Sequence, residues 1–315
     1  MDTSPPRNDF VHVGGVRLHF LDWGGTGPAM LLLTGIGDSA HIFDRFAPKF
    51  TDSFHVLGLT RRGHPGSDTP ESGYDAATLA EDIAGFLTEI SIDRSILVGH
   101  SLAGGEMTRF GAAYPQRTIA LVYLDAAYDR TDVPALLAQD PCAKISPPQA
   151  EAEIHGSADA YLAHILRISP RYKEVWSDLL DQEFRRQIAV RADGTATDLM
   201  PPEVNAALWQ GMSSYVYEFG GIEAPVLAFY AVGNIPGFPE YWSYDQKCKF
   251  ADFVQRSCVP WQLRSIDAMR RALPSSRIIQ LPGANHYIFL QNEDLVASEM
   301  RRFLLPIVEL DRSAA

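Results

Sequence analysis

Apolar residues recur along this chain in two rhythms, short continuous or alternating runs and stretches of helical period, and their order predicts the architecture. Phe10–Val13 and Val16–Leu21 alternate around Gly14-Gly15, the pattern of a β-hairpin. Ala29–Leu33 is apolar throughout, as a strand buried on both faces requires. Phe54–Leu59 is a second such run, followed by the turn-rich Arg61-Arg62-Gly63-His64-Pro65-Gly66-Ser67. Asp75 stands where it can cap a helix in which Leu79, Ile83, Phe86, Leu87 and Ile90 form one stripe. The apolar strand Ile96–Val98 leads into Leu102, Glu106, Arg109 and Phe110 at helical spacing until Pro115, and Ala120–Leu124 is the next strand. Strands alternating with helices imply a parallel sheet with helices on both faces.

Between about Tyr128 and Glu223 the rhythm breaks. Pro- and Ala-rich segments separate three helical faces: Tyr161, His164, Ile165 and Ile168; Val175, Leu179, Leu180, Phe184 and Ile188; and Val204, Leu208, Met212 and Tyr215. No convincing strand stands among them, so 128–223 is predicted to be an all-helical cap over one end of the sheet. Alternation resumes with the strand Pro225–Ala231, a helix near Trp261–Leu273, the strand Arg277–Leu281 and a helix around Asp294–Leu305. The core domain is thus assigned to 1–127 and 224–315.

Length and composition, 315 residues with 46% hydrophobic and 21% charged, suit a soluble globular protein with a large core. The net charge of −12 argues against a nucleic-acid partner and repels anionic substrates mildly at long range. No apolar run reaches a membrane span, and the opening Met1-Asp2-Thr3-Ser4-Pro5-Pro6 is not a signal peptide. Cys142, Cys248 and Cys258 lack metal spacing and fit a reduced, cytoplasmic protein, a Cys248–Cys258 bridge being the one pairing left open. No metal or organic cofactor is implied.

The chemistry centres on Gly99-His100-Ser101-Leu102-Ala103. A serine at a tight strand-to-helix turn raises its hydroxyl above the sheet on a strained backbone, with a helix N-terminus beneath it. Ala103 stands where the G-x-S-x-G pattern has its second glycine. A serine hydroxyl needs a base, and among nine histidines His286, in Gly283-Ala284-Asn285-His286 directly after the last strand, shares the carboxyl edge of the sheet with Ser101. His100 is expected to point away and to pack or tune.

Taken in order, the hairpin, Thr34-Gly35-Ile36-Gly37, Arg62-Gly63-His64-Pro65-Gly66-Ser67, the elbow, the helical insertion and the late Gly-x-x-His resemble the α/β-hydrolase superfamily over nearly the whole chain. That resemblance implies a mostly parallel eight-stranded sheet with an inserted cap. It also implies an oxyanion hole formed by the backbone N–H groups of Ile36 and Leu102, although Thr34-Gly35 replaces the common His-Gly. The acid is less plainly marked. The loop after Pro225–Ala231, Val232 to Glu240, holds no aspartate; Glu240 and Asp245 follow later. Asp125, at the tip of the strand after the nucleophile helix, is the better candidate. Haloalkane dehalogenases and zearalenone-type lactonases, which this chain resembles there, carry their acid on that strand.

A serine at the elbow, where dehalogenases and epoxide hydrolases of the superfamily use aspartate, implies acyl transfer from an ester or lactone. The candidate substrate-binding residues are Gly35, Tyr161, Trp209, Tyr215 and Tyr287, with Tyr287 and Ile36 nearest the chemistry. An aromatic cap lining an apolar pocket favours an aromatic or medium-chain acyl group or a lactone. Arg61 and Arg62 are not assigned to a ligand, since at least one is expected to brace its own loop. The same triad also serves amidases and carbon–carbon bond hydrolases, the latter wanting basic groups in the pocket. A low-turnover small-molecule receptor, as strigolactone and karrikin receptors are, is the reading from a different class.

Overall fold

The computed structural model describes residues 5–145, 157–235 and 237–314. Met1–Ser4 of the opening segment and Pro236 of the Val232–Glu240 loop lie outside the described residues. β1 (Arg7–Val13) and β2 (Val16–Gly24) form the hairpin, with Gly14 and Gly15 at φ +54° and +84°. Both values lie where a two-residue turn of this twist needs residues without a Cβ. β3 (Ala29–Leu33), β4 (His55–Leu59), β5 (Ser95–His100), β6 (Thr118–Leu124), β7 (Val226–Val232) and β8 (Arg277–Pro282) complete one eight-stranded sheet. Its order is β1-β2-β4-β3-β5-β6-β7-β8, with β2 alone running against the rest.

The period-two alternation of the central strands divides the interior into two cores. Met30, Leu32, Val98 and Val122 face one, with Phe43, Phe46, Phe289 and Met300. Leu31, Leu33, Leu97 and Leu121 face the other, packed on Ile83 and Phe86 of α1 (Ala76–Glu89) and Met107 and Phe110 of α2 (Ala103–Ala113). Asp75 caps α1, accepting from the N–H groups of Ala77 and Thr78 at 3.0 Å each. Burial on both faces is why these strands read as unbroken apolar runs.

Beyond β6 the chain forms α3 (Val133–Leu137), α4 (Ala158–Ile168), α5 (Asp178–Arg186) and α6 (Pro202–Ser214). One correction to the all-helical expectation stands between α5 and α6. Ile188–Val190 and Ala196–Asp198 pair as a short antiparallel ribbon. At three residues each, such strands leave no readable alternation, and Ile188, counted with the α5 stripe, belongs to the ribbon. After β7 comes α7 (Tyr244–Phe253), which widens through a π-type turn at Val254–Cys258 into α8 (Val259–Ala272). Only Phe253 of α7 is buried, so the helix carried no apolar stripe to predict it. All three cysteines are free. Cys248 and Cys258 lie along continuous helical backbone, ~15 Å apart at 1.5 Å rise per residue and beyond disulfide reach. The final helix, α9, spans Glu293–Ala314. Among the described residues no helix is long and apolar enough to cross a membrane.

Candidate active site

Of the loops at the carboxyl edge of the sheet, the four after β3, β5, β6 and β8 carry the predicted chemistry. Ser101, between β5 and α2, has φ +54°, a left-handed conformation that costs energy for any residue with a Cβ. The surroundings hold the turn there. A Cβ at Gly99 would come within 2.4 Å of Met107 Sδ, and one at Gly104 within 1.9 Å of the Ala126 carbonyl oxygen. Ala103 is fully buried, and a Cβ at Gly99 would also come within 3.0 Å of its methyl. Leu102 follows at the start of α2, packed with Tyr74, Val204 and Leu208, so its N–H stands at the positive end of a helix.

Asp125, at the tip of β6, is also left-handed, at φ +52°. Its Oδ2 lies 2.5 Å from His286 Nδ1. Its Oδ1 accepts from the Ala231 N–H at 2.7 Å and the Tyr128 hydroxyl at 2.5 Å. A carboxylate accepting at Nδ1 fixes the proton there and leaves the Nε2 lone pair of His286 free. Glu240 and Asp245 are elsewhere, exposed and paired with Lys173 at 3.0 Å and Lys249 at 2.7 Å. Tyr128, which the sequence marked only as the start of the insertion, is buried against this carboxylate, and burial and the adjacent charge hold its phenol well above the usual range.

His100 departs from expectation. Rather than pointing away, its ring lies 4.6 Å from that of His286, and its Nε2 is 3.1 Å from the His286 carbonyl oxygen. That contact requires a proton on Nε2. Burial, and then His286, hold its pKa well below the usual value, so the ring is neutral and buttresses the histidine loop. Asp38, on the loop after β3, is buried beside it and accepts from the Tyr287 hydroxyl at 3.2 Å. Burial, reinforced by Glu183, pushes the Asp38 carboxyl up to about 8.

These groups open onto a cavity of about 260 Å³ whose walls include Gly35, Ile36, Ser101, His286 and Tyr287 from the core and Trp209 from α6. Asp38, His100, Arg130, Arg171 and Tyr172 complete it, and Ile36, Arg171, Tyr172 and Trp209 also line an adjoining cavity of about 250 Å³. Two predicted pocket residues fall outside. Tyr161 is buried with its hydroxyl on Asp198, and Tyr215 lines a separate small cavity beside Leu102 and Gly105. Aromatic residues at helical spacing serve there as packing, so their spacing carried no information about the pocket. The presence of two arginines also departs from the expected apolar lining; a net charge summed over the chain does not fix the sign of one cavity.

Arg61 and Arg62 are both structural. Arg61 forms a fork on Glu106 at 2.6 and 2.7 Å and donates to the Thr34 and Gly35 carbonyl oxygens, which anchors the loop carrying Ile36. Arg62 makes the same fork on Asp82, at 2.6 Å for both bonds. The insertion is tied to three of the four loops. Glu183 accepts from the Ser39 N–H at 2.5 Å, the Tyr217 hydroxyl donates to the Ala126 carbonyl at 3.0 Å, and Asn285 Nδ2 donates to the Arg171 carbonyl at 2.8 Å. Asn285 stands next to His286 in sequence, the one signal that pointed toward this set.

Sheet order, elbow and loop placement together define an α/β hydrolase, and the chain belongs to that family: the alpha/beta hydrolase family profile matches residues 30–299. Among its relatives is the 2-(acetamidomethylene)succinate hydrolase of Mesorhizobium japonicum, 35% identical over 115 residues, which are 36% of this chain and 41% of that protein. Epoxide hydrolase A of Mycobacterium tuberculosis is 29% identical over 163 residues, 50% of this chain and 47% of that protein. The chain therefore matches less than half the length of these curated relatives. The crystal structure of E-2-(acetamidomethylene)succinate hydrolase superposes with a TM-score of 0.73 at 22% identity, covering 95% of this chain and 99% of that one, and so shares the fold.

Proposed function

We propose that this hydrolase cleaves carboxylic esters or lactones through an acyl-enzyme on Ser101. His286 Nε2 takes the Ser101 proton as Oγ attacks the carbonyl carbon, and Asp125 holds the imidazolium that forms. The Ile36 and Leu102 N–H groups hold the oxyanion, a contribution of about 3–4 kcal/mol per donor in comparable sites. Collapse expels the alcohol with the proton returned from His286. Water, activated by the same nitrogen, then releases the acid and regenerates the serine. Residues 128–223 act as the cap, supplying Trp209, Arg171 and Tyr172 to the substrate's surroundings.

The single observation that carries this reading is the Asp125–His286 pair at 2.5 Å on the wall of the cavity that also holds the left-handed Ser101. Serine at the elbow favours acyl transfer over the alkyl-ester chemistry that an aspartate would serve. The two arginines in the cavity favour one second reading, cleavage of an amide or a carbon–carbon bond in an acidic substrate by the same residues. The similarity to an enzyme whose substrate is named as an acetamidomethylene succinate supports it too.

The test is hydrolysis of 4-nitrophenyl acetate and butyrate by the wild type beside Ser101→Ala. Turnover abolished by the substitution is the expected result. Turnover by the wild type no greater than by Ser101→Ala would remove the ester reading.

A further inference from the structure

Arg130 is a buried charge that the mechanism above leaves unused. It lies beyond Asp125 on the loop after β6, is only 9% exposed, and forms part of the wall of the cavity that holds Ser101 and His286. Its Nε and Nη2 are buried with no hydrogen-bond acceptor among the described residues. What it does touch satisfies little of its charge: the Tyr217 hydroxyl, and the face of Tyr128, whose centroid is 5.9 Å from Cζ. Buried guanidinium groups are ordinarily matched by a carboxylate that takes two of their N–H groups at once, because an unpaired buried cation is expensive to keep. Here the nearby acids are committed. Asp125 is shared among His286, Tyr128 and Ala231, Glu106 is held by the Arg61 fork, and Asp38, on the wall of the same cavity, accepts from the Tyr287 hydroxyl and has its carboxyl pushed up to about 8 by burial.

A second cation, Arg171, lines the same cavity and continues into the adjoining one, where its Nη2 lies 3.0 Å from the Tyr172 hydroxyl. The cavity thus combines two guanidinium groups with the groups that would carry out acyl transfer, in a chain whose net charge is −12. Two cations on one cavity of an acidic chain give that cavity a local charge suited to an anion.

We propose that the substrate carries a carboxylate besides the bond to be cleaved, and that Arg130 is the residue that binds it, with Arg171 as a second cation lining the same cavity. An arriving carboxylate takes up the unpartnered N–H groups through rotation at the end of the long side chain and orients the scissile carbonyl toward Ser101. This deepens the hydrolase reading and relies on it for the reaction, though not for the binding.

Binding and turnover are therefore measured separately. In the first arm, the Ser101→Ala protein is titrated calorimetrically with monomethyl glutarate and with neutral dimethyl glutarate, with and without Arg130→Met. The monoester is expected to bind about tenfold tighter or better, a preference lost in the double variant. Equal binding of the two esters, no heat from either, or a preference that survives Arg130→Met overturns the proposal. In the second arm, kcat/KM is compared for mono-4-nitrophenyl glutarate and 4-nitrophenyl butyrate, and for 4-acetoxybenzoate and phenyl acetate, which place the carboxylate on the acyl or the leaving side. The ratio in one of these pairs should favour the acid and fall at least about tenfold in Arg130→Met. If Arg130 merely braces Tyr217, both members of each pair fall together and the ratio stands, which also overturns it. Arg130→Lys, which keeps the charge, should retain part of the preference and serves where the Met variant does not fold. Should no ester be turned over by the wild type, the ester reading fails alone and the calorimetric arm still decides the carboxylate.

Discussion

Replacing Asp125 by Asn tests the site at the point where its hydrogen bonds are most fully specified. The carboxylate accepts three: from His286 Nδ1 at 2.5 Å, from the Ala231 N–H at 2.7 Å and from the Tyr128 hydroxyl at 2.5 Å. An amide has one oxygen and one NH2, so it cannot meet all three donors. With its oxygen toward Ala231 and Tyr128, the NH2 faces His286 and forces Nδ1 to accept. The proton then sits on Nε2, the nitrogen that must receive the Ser101 proton. The flipped amide restores the working tautomer but leaves the buried Ala231 N–H against an NH2, at a cost of about 1–3 kcal/mol. Tyr128 escapes that penalty by turning to the Ala231 carbonyl, 3.1 Å away. The unproductive arrangement is therefore favoured roughly 5- to 150-fold, and the imidazolium loses its counter-charge as well. Together these predict a fall in kcat for 4-nitrophenyl acetate of about 10²- to 10⁴-fold. Steady-state kinetics beside thermal unfolding supply the check. A loss under about tenfold in a variant of unchanged Tm would refute the tautomer argument.

Three further outcomes follow from the same contacts. Gly104→Ala drives a Cβ to 1.9 Å from the Ala126 carbonyl, which is backbone and cannot swing aside. A destabilisation of about 3 kcal/mol, read as a Tm lower by roughly 4–6 °C for a chain of this length, is expected, and an unchanged Tm would contradict it. Glu106→Gln leaves the Arg61 guanidinium buried without its counter-charge and should cost about 3–5 kcal/mol in urea unfolding, with a looser Ile36 loop showing as reduced kcat. Asp38, raised from its ordinary 3.8 to about 8, binds its proton more tightly in the folded state. Its contribution to stability is complete below the unfolded pKa and is lost as pH rises through about 8. Between pH 5 and 8, stability of the wild type should fall more steeply than that of Asp38→Asn, by up to about 1.4 kcal/mol per pH unit, and parallel profiles would exclude the raised carboxyl.

The elements that were legible in the sequence are those whose burial imposes a period. Ala29–Leu33 was bounded to the residue, because a strand covered on both faces admits nothing polar. Asp75 marked its helix because a cap is a local interaction. The ribbon Ile188–Asp198 and helix α7 were not legible, the first too short for a pattern and the second too exposed. In the site, Ser101 and His286 were marked by turn chemistry and strand ends. The cavity walls were different. Arg130, Arg171 and Asp38 line one cavity, and Tyr128 reaches Asp125, only through loops whose meeting depends on the sheet order, and no local period records that. Tyr161 and Tyr215 erred for the complementary reason: an aromatic residue at helical spacing reads alike whether it packs or faces a substrate, and Tyr215 lies just past the end of α6.

The central claim is that Ser101 becomes acylated. Rapid acid quench of the wild type during turnover of 4-nitrophenyl butyrate, followed by intact-mass measurement and peptide mapping, tests it directly. The account predicts a transient species heavier by one butyryl group, mapped to Ser101 and absent from Ser101→Ala. Turnover with no such species at any quench time, or with the acyl group on another residue, would contradict it.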